Sequence, residues 1–194
     1  MNSYDLFKVN IAELNKILHN FSESDLNEFD ICANLVINAL KDKKTIFWCG
    51  NGGSAAESSH LAAELIGKFK TDRPPFSSIS LNADTSTLTC IANDYGYQEV
   101  YSRQLKGLGK SGDVLITLST SGDSENINAV LIAANEMDII TIAFLGKGGG
   151  KSKDLAKHKL IINSMDTARI QELHLFLGHS LCEFIDRDFG YIKS

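Results

Sequence analysis

With 194 residues, 43% of them hydrophobic and 22% charged, the chain has the size and composition of one soluble globular domain with a sizeable core. Its formal net charge of -5 excludes a broad electrostatic attraction to nucleic acid or to an anionic membrane, so any bound anion must be held by local geometry. The cysteines, Cys32, Cys49, Cys90 and Cys182, lie far apart without a CxxC pair, which argues against a disulfide frame or a zinc knuckle. Three of them have apolar surroundings and read as buried thiols of a reducing compartment. The opening "MNSYDLFKVNIAEL" carries acids early and has no apolar core, so it does not read as a signal peptide, and no apolar run is long enough for a bilayer. The expected location is the cytoplasm.

Over residues 4–20, Leu6, Phe7, Ile11, Leu14, Ile17 and Leu18 recur at helical spacing. A second helical pattern covers about 24–41, with Ser24 or Asp25 as its N-cap. The character then changes. "TIFWCG" (45–50) is a short apolar run closing on glycine, which predicts a buried strand. "SSISL" (77–81), "DVLITLS" (113–119), "IITIAFLG" (139–146) and "HKLIINS" (158–164) read the same way. Helical patterns at 54–69, 84–93 and 124–137 separate most of them, and a last long helix fits Thr167–Asp188. Strands alternating with helices predict an α/β fold of the flavodoxin/Rossmann-like kind, a five-stranded parallel sheet flanked by helices. Additional N-terminal helices, about 4–42, pack on the domain or on a second subunit, and residues 1–194 read as a single domain. Right-handed crossovers put the C-terminal ends of the strands on one edge, where ligands of open α/β sheets bind.

Two junctions on that edge carry chemistry. "CGNGGS" joins a strand to a helix through glycines, which allow positive φ and close backbone approach. The helix N-terminus behind it favours an anion. A plain tight turn is the alternative to phosphate or sugar contact. The segment is no Walker A loop, and Gly50, Gly52 and Ala55 match a GxGxxA dinucleotide fingerprint only loosely, since Asn82 and Asp84 come late for its acid. The second junction, "STSGDSEN", offers the hydroxyls of Ser119, Thr120, Ser121 and Ser124 just before a helix, a set suited to a phosphate monoester. An ordinary turn capped by Ser121 or Asp123 is the alternative. A third glycine cluster, "GKGGGKSKD" (146–154), reads as a flexible surface loop.

His60 and Glu64 stand about 40° apart on a helix and share a face. On the last helix, Gln171, His174, Leu175, Gly178 and His179 fall on one broad side. Their polar members mark either a site or a helix edge near solvent.

The segments "CGNGGSAAESSHLAAEL", "IANDYGYQEVYSRQL", "GDVLITLSTSGDSENI" and "ARIQELHLFLGH", in this order, resemble the phosphoheptose isomerases of the sugar isomerase (SIS) domain family over nearly the whole chain. The resemblance implies a SIS-type five-stranded sheet and a homotetramer with sites between subunits. It implies phosphate binding by Ser119, Thr120, Ser121 and Ser124, and sugar contacts from Asn51, Gly52, Gly53, Asn93 and Asp94. It implies that His60, Glu64, Gln171 and His179 converge around one zinc ion per subunit, that Glu64 and Gln171 also meet the substrate, and that Glu64 and His179 carry the protons. Lys68 stands where some members carry arginine. The implied reaction is the isomerisation of sedoheptulose 7-phosphate, feeding heptose into lipopolysaccharide or other surface glycans. The competing reading is a non-catalytic phosphosugar-binding relative that binds a protein partner, such as the replication initiator; the four retained polar residues favour the enzyme.

Overall fold

The computed structural model describes residues 1–192. Two helices open the chain, α1 (Ser3–His19) and α2 (Glu23–Lys41). Then follow β1 (Ile46–Gly50), α3 (Gly53–Ile66), β2 (Ser78–Ser80), α4 (Thr85–Tyr95), α5 (Ser102–Leu108), β3 (Val114–Ser119) and α6 (Glu125–Glu136). The rest is β4 (Ile140–Leu145), α7 (Ser152–Leu155), β5 (His158–Ile161) and α8 (Thr167–Asp188).

The strands form one parallel sheet in the order β2-β1-β3-β4-β5. β1 and β3 are buried at every residue, as strands covered on both faces must be, which is why each reads as an unbroken apolar run. Alternation along the strand sorts their side chains into two layers. Ile46, Trp48, Ile116 and Phe144 face α2, α3 and α8, while Phe47, Cys49, Leu115 and Ala143 face the layer that α6 covers. The strand order reverses beside β1: β2 pairs on one side and β3 on the other. The chain leaving β1 therefore turns to one face as α3, and the chain leaving β3 turns to the other as α6. A crevice opens between the two junctions, at the position where open α/β sheets bind ligands.

α2 adds Cys32, Ala33, Val36, Ile37 and Leu40 to the first layer, whereas α1 buries only Ile17 and exposes Tyr4, Leu6, Phe7, Val9 and Ile11. The cap of α2 is Ser22, earlier than the sequence pattern places it. Ser22 and Asp25 form a reciprocal capping box, so Asp25 completes the cap from inside the first turn. α5 and α7 are new to the structure, being too short to show a periodicity. The third glycine cluster is not a free surface loop. Gly149 and Ser152 are buried, the Ser152 N–H donates to the Gly122 carbonyl at 2.8 Å, and the Lys151 N–H donates to Asp123 Oδ1 at 3.0 Å. It braces the loop that follows β3. Cys32, Cys49 and Cys182 are buried and Cys90 is exposed.

α3 and α8 lie side by side on one face of the sheet and run in the same direction, with Gly53 opposite Gln171 and Leu61 opposite Gly178. A Cβ at Gly178 would come within 2.5 Å of both methyl carbons of the fully buried Leu61. Gly178→Ala should therefore lower stability. Overpacking costs about 1–3 kcal/mol, against a helix-propensity gain of about 1 kcal/mol. A lower urea midpoint at unchanged slope checks this; an unchanged or raised midpoint would show that the helix pair has room to part.

Candidate active site

The crevice is lined by two helix N-termini that lack side-chain caps. α1, α2, α4 and α8 are capped by Asn2, Ser22, Asp84 and Asp166. α3 starts instead from Gly52, in left-handed backbone (φ 58°) without a side-chain cap bond, and α6 starts from Ser124, whose hydroxyl makes no cap bond. At the start of α3 the Ser54 and Ala55 N–H groups already donate to the Asn51 and Gly52 carbonyls at 3.1 Å each, so what this end offers an anion is chiefly the positive end of the helix dipole, and the start of α6 adds its own. Gly50 permits the arrangement, because a Cβ there would meet the Ser54 carbonyl oxygen at 2.6 Å. Between the ends lies a cavity of about 260 Å³, lined by Asn51, Gly53, Ser54, Leu118, Ser119, Thr120, Ser121, Ser124, Thr167 and Gln171. Hydroxyls and amides dominate this lining and no charged side chain belongs to it. Ser119 Oγ accepts from the Gly122 N–H at 3.0 Å and Ser121 Oγ from the Asp123 N–H at 3.2 Å, which sets the loop while leaving both hydroxyl protons to point at a guest.

Asn51 is the hub of this edge. Its Oδ1 accepts from Asn126 Nδ2 (2.9 Å) and from the hydroxyls of Tyr97 and Tyr101 (3.0 Å each), and its Nδ2 donates to Asn126 Oδ1 at 2.8 Å. Asn82 closes the network on β1, donating to the Gly50 carbonyl at 2.9 Å and accepting from the Gly50 N–H at 3.2 Å. Asn126, Tyr97 and Tyr101 are not singled out in the sequence reading, nor are the cavity residues Ser54 and Thr167, and Asn82 enters it only as a late candidate for a dinucleotide acid. Asp84 is committed to the Ser86 and Thr87 N–H groups, and Asn82 to β1, so neither supplies the acid of a dinucleotide site.

Further along the α3–α8 contact, His60, Glu64 and His179 come together. His60 Nε2 lies 2.9 Å from His179 Nε2 and 3.5 Å from Glu64 Oε1. One ligand atom from each lies within 4.8 Å of the others. Phe69 stacks on the His179 ring, with centroids 5.5 Å apart. Burial pushes the His179 pKa down, and His60 beside it does the same, against the opposing pull of Glu64. The imidazole is thereby favoured in its neutral form, able to accept a proton or a metal. Two imidazole nitrogens and a carboxylate converging on one point fit a borderline divalent cation such as zinc. A second group with ligand spacing, Glu28, Cys32 and His158, lies on α2 and β5, away from the crevice. There the His158–Glu28 hydrogen bond (3.1 Å) already accounts for the geometry, and burial raises the Cys32 thiol to about 12, against the thiolate a metal needs.

Not every expected residue joins these groups. Gln171 lies at the cavity end, its amide donating to Ser54 Oγ at 3.4 Å. Asn93 and Asp94 are exposed on α4, bonded to each other at 2.7 Å, and are not among the cavity residues. His174 marks neither a site nor a solvent edge: it is fully buried, 6.2 Å from the Phe144 ring, and burial pushes its pKa down to about 4. One carboxyl escaped the sequence reading altogether. Glu57, one turn before His60 on α3, has its Oε2 buried with no hydrogen-bond partner among the described residues, and burial raises its pKa to about 7.

Fold and geometry thus define an α/β domain with an uncharged polar cavity at one end of a helix pair and a histidine–carboxylate trio further along it. The SIS domain family model matches residues 11–146. A phosphoheptose isomerase of Nitratiruptor sp. is 50% identical over 155 residues, covering 80% of this chain and 83% of that protein. One from Helicobacter pylori is 48% identical over 157 residues, 81% of this chain and 82% of the relative. The solved phosphoheptose isomerase of Neisseria gonorrhoeae superposes with a TM-score of 0.89 at 36% identity, covering 96% of this chain and all of that one. The chain belongs to the SIS domain family and, within it, to the phosphoheptose isomerases.

Removing one hydroxyl donor from the cavity should weaken a bound phosphate monoester by about 1.5–3 kcal/mol, the range for hydrogen bonds to charged groups. Ser121→Ala titrated calorimetrically with a heptulose phosphate should bind at least tenfold less tightly; unchanged affinity would place the phosphate elsewhere. Glu57 gives a pH prediction. Burial raises its pKa to about 7 from the ordinary glutamate value of 4.5, so the folded protein holds the proton more tightly. Its stabilising contribution is present below about pH 4.5 and is lost as pH rises through about 7. Glu57→Gln should flatten that part of the stability profile, read from urea midpoints; a profile that matches wild type would show the carboxyl is solvated.

Proposed function

We propose that the chain interconverts D-sedoheptulose 7-phosphate and D-glycero-D-manno-heptose 7-phosphate by moving a proton between C1 and C2 through an enediol. The observation that carries this reading is the placement of an uncharged anion cradle and a His60–Glu64–His179 trio along one pair of helices. The Ser119, Thr120, Ser121 and Ser124 hydroxyls hold the phosphate together with the N-termini of α3 and α6. Asn51, Gly52 and Gly53 line the path of the sugar chain, with Gln171 facing them from α8. Glu64 takes the carbon-bound proton as general base, and His179 moves protons at the oxygens, since a neutral imidazole both accepts and returns them near neutral pH.

A zinc ion, one per subunit, would be held by His60, Glu64 and His179 with Gln171 as the outlying member, and when bound would supply Lewis-acid stabilisation of the developing enediolate charge. A carboxylate held tightly by zinc would be a poor base, so Glu64 would have to be loosely held or released to take the carbon-bound proton. Remote phosphate binding keeps C1 and C2 in register for proton transfer. The exposed apolar residues of α1, together with Ile66 and Phe176, support a homotetramer. In such an assembly Asn93 and Asp94, exposed on their own chain, would reach sugar across a subunit contact. We place the enzyme in the cytoplasm, free of membrane and nucleic acid, at the entry to nucleotide-activated heptose for lipopolysaccharide or other surface glycans. Among the described residues no helix is long and apolar enough to cross a membrane.

Sedoheptulose 7-phosphate followed by NMR in deuterated water, with and without a chelator, tests the proposal. Aldose phosphate should form, activity should fall on chelation, and zinc should restore it. Glu64→Gln should lower turnover about 10²–10⁴-fold, the range for a lost general base, with substrate affinity nearly intact. No conversion by the zinc-supplemented protein, despite phosphosugar binding, would favour a partner-binding SIS protein; full activity of Glu64→Gln would remove Glu64 as the base.

A further inference from the structure

The trio depends on two helices holding a fixed register, and a buried arginine outside both of them fastens them together. Arg73 lies in the segment between α3 and β2. Its side chain is fully buried, as is that of Asp186 on α8, and its Nε donates to Asp186 Oδ1 at 2.7 Å. Nη2 donates to the backbone carbonyl of Glu64 at 2.8 Å, and Nη1 to those of Leu65 (2.9 Å) and Pro74 (3.1 Å). The guanidinium plane lies 4.5 Å from the centre of the Phe76 ring. Glu64 and Leu65 are in the last turn of α3, where carbonyls have no intrahelical donor and the helix dipole is negative. That last turn carries no basic residue of its own. Asp186 follows His179 by seven residues, two helical turns on, and so stands on nearly the same side of α8.

We propose that Arg73 is a positioning residue of the isomerisation. Its planar fork joins the backbone of Glu64 directly to the helix that carries His179, and so fixes the distance between the two proton carriers. A buried ion pair does not by itself stabilise a fold, because desolvation of the charges offsets their attraction. The value of this pair lies in what the other three donors grip. Only guanidinium has the fixed geometry to reach a carboxylate and three carbonyls at once; a lysine ammonium in the same place keeps the charge and loses the fork. The phosphate cradle lies at the opposite end of α3, eleven residues before Glu64, about 16 Å along the axis. The clamp acts on the reacting carbons and leaves the phosphate alone.

The proposal rests on the isomerase reading, and the experiment separates the two. Zinc-supplemented Arg73→Lys, which keeps the charge facing Asp186, should fold, should lose tenfold or more in kcat on sedoheptulose 7-phosphate, and should hold KM within about twofold. The double variant Arg73→Met, Asp186→Leu removes both buried charges together at similar volume and should show the same split. A kcat equal to wild type in either folded variant overturns the proposal, as does a rise in KM without a fall in kcat. Amide hydrogen exchange supplies a readout that needs no activity: in Arg73→Lys, protection should fall in the last turn of α3 and stay unchanged at its first turn. If wild type itself is inactive, the isomerase reading falls, and this exchange pattern alone decides the clamp; unchanged protection at Glu64 and Leu65 overturns it.

Discussion

The close approach of α3 and α8 is the constraint on which the rest depends. Helices normally pack 8–10 Å apart, the distance being set by the side chains at the contact. Here the contact is made where side chains are missing: Gly178 seats Leu61, and Gly53 lies against Gln171. Because the helices are parallel, their matched positions keep the same order along both. The N-terminal end of the seam meets the cavity and the C-terminal end holds His60, Glu64 and His179. One packing decision therefore builds both halves of the site. It also explains where the polar residues on the inner side of α8 stand. Gln171 and His179 lie where α8 faces the crevice side of α3, while His174 turns into the sheet and is held neutral in the core.

On the proposed reading, the cavity would let a chain of net negative charge hold an anion without a cationic side chain. Lysine and arginine attract anions from a distance and with little regard to shape. Hydroxyls, amides and orphan N–H groups act only at hydrogen-bond range, so they select by geometry. Such a set requires that its members be held still, and the surrounding network does this. Asn51 is fixed by Asn126, Tyr97 and Tyr101, the β3 loop is fixed by Ser119 and Ser121, and the third glycine cluster braces that loop from behind. The buried close contact of Gly122 with Gly149 admits no side chain, which is the physical reason for glycine at position 122.

Much of this was legible in the residues. The inner strands β1, β3 and β4 announced themselves because burial on both faces demands nearly unbroken apolar runs, and the switch-point junctions because they set glycines or clustered hydroxyls between a strand and a helix. What stayed hidden depends on distance in sequence. Nothing local marks Tyr97, Tyr101 or Asn126 as partners of Asn51, and nothing in "GKGGGKSKD" says that it packs on a loop some thirty residues earlier. Arg73, followed in the chain by Pro74 and Pro75, carries no local mark of its role. Its role depends on Asp186, 113 residues away, and on carbonyls that carry no side-chain signature. His174 misled for the opposite reason, since helical spacing alone cannot tell the crevice face of α8 from its core face when both hold histidines.

On the proposed mechanism, the helix that joins cavity to trio would set a length for the substrate. Gly53 stands at the cavity and Glu64 eleven residues on, about 16 Å along a rigid axis. Side chains of a helix lean toward its N-terminus, so the Glu64 carboxylate reaches back toward the cradle, and the phosphate stands off from the helix end by a hydrogen bond. What is left between them suits the backbone of a long open-chain sugar phosphate. A triose phosphate anchored in the cradle would leave its carbonyl short of the carboxylate. A ring form would shorten the chain in the same way, so the geometry asks for an opened sugar. On the proposed mechanism, binding of the distant phosphate would assist the proton transfer only for substrates of the right reach, and the Arg73 clamp at the far end of α3 would turn that reach into selectivity.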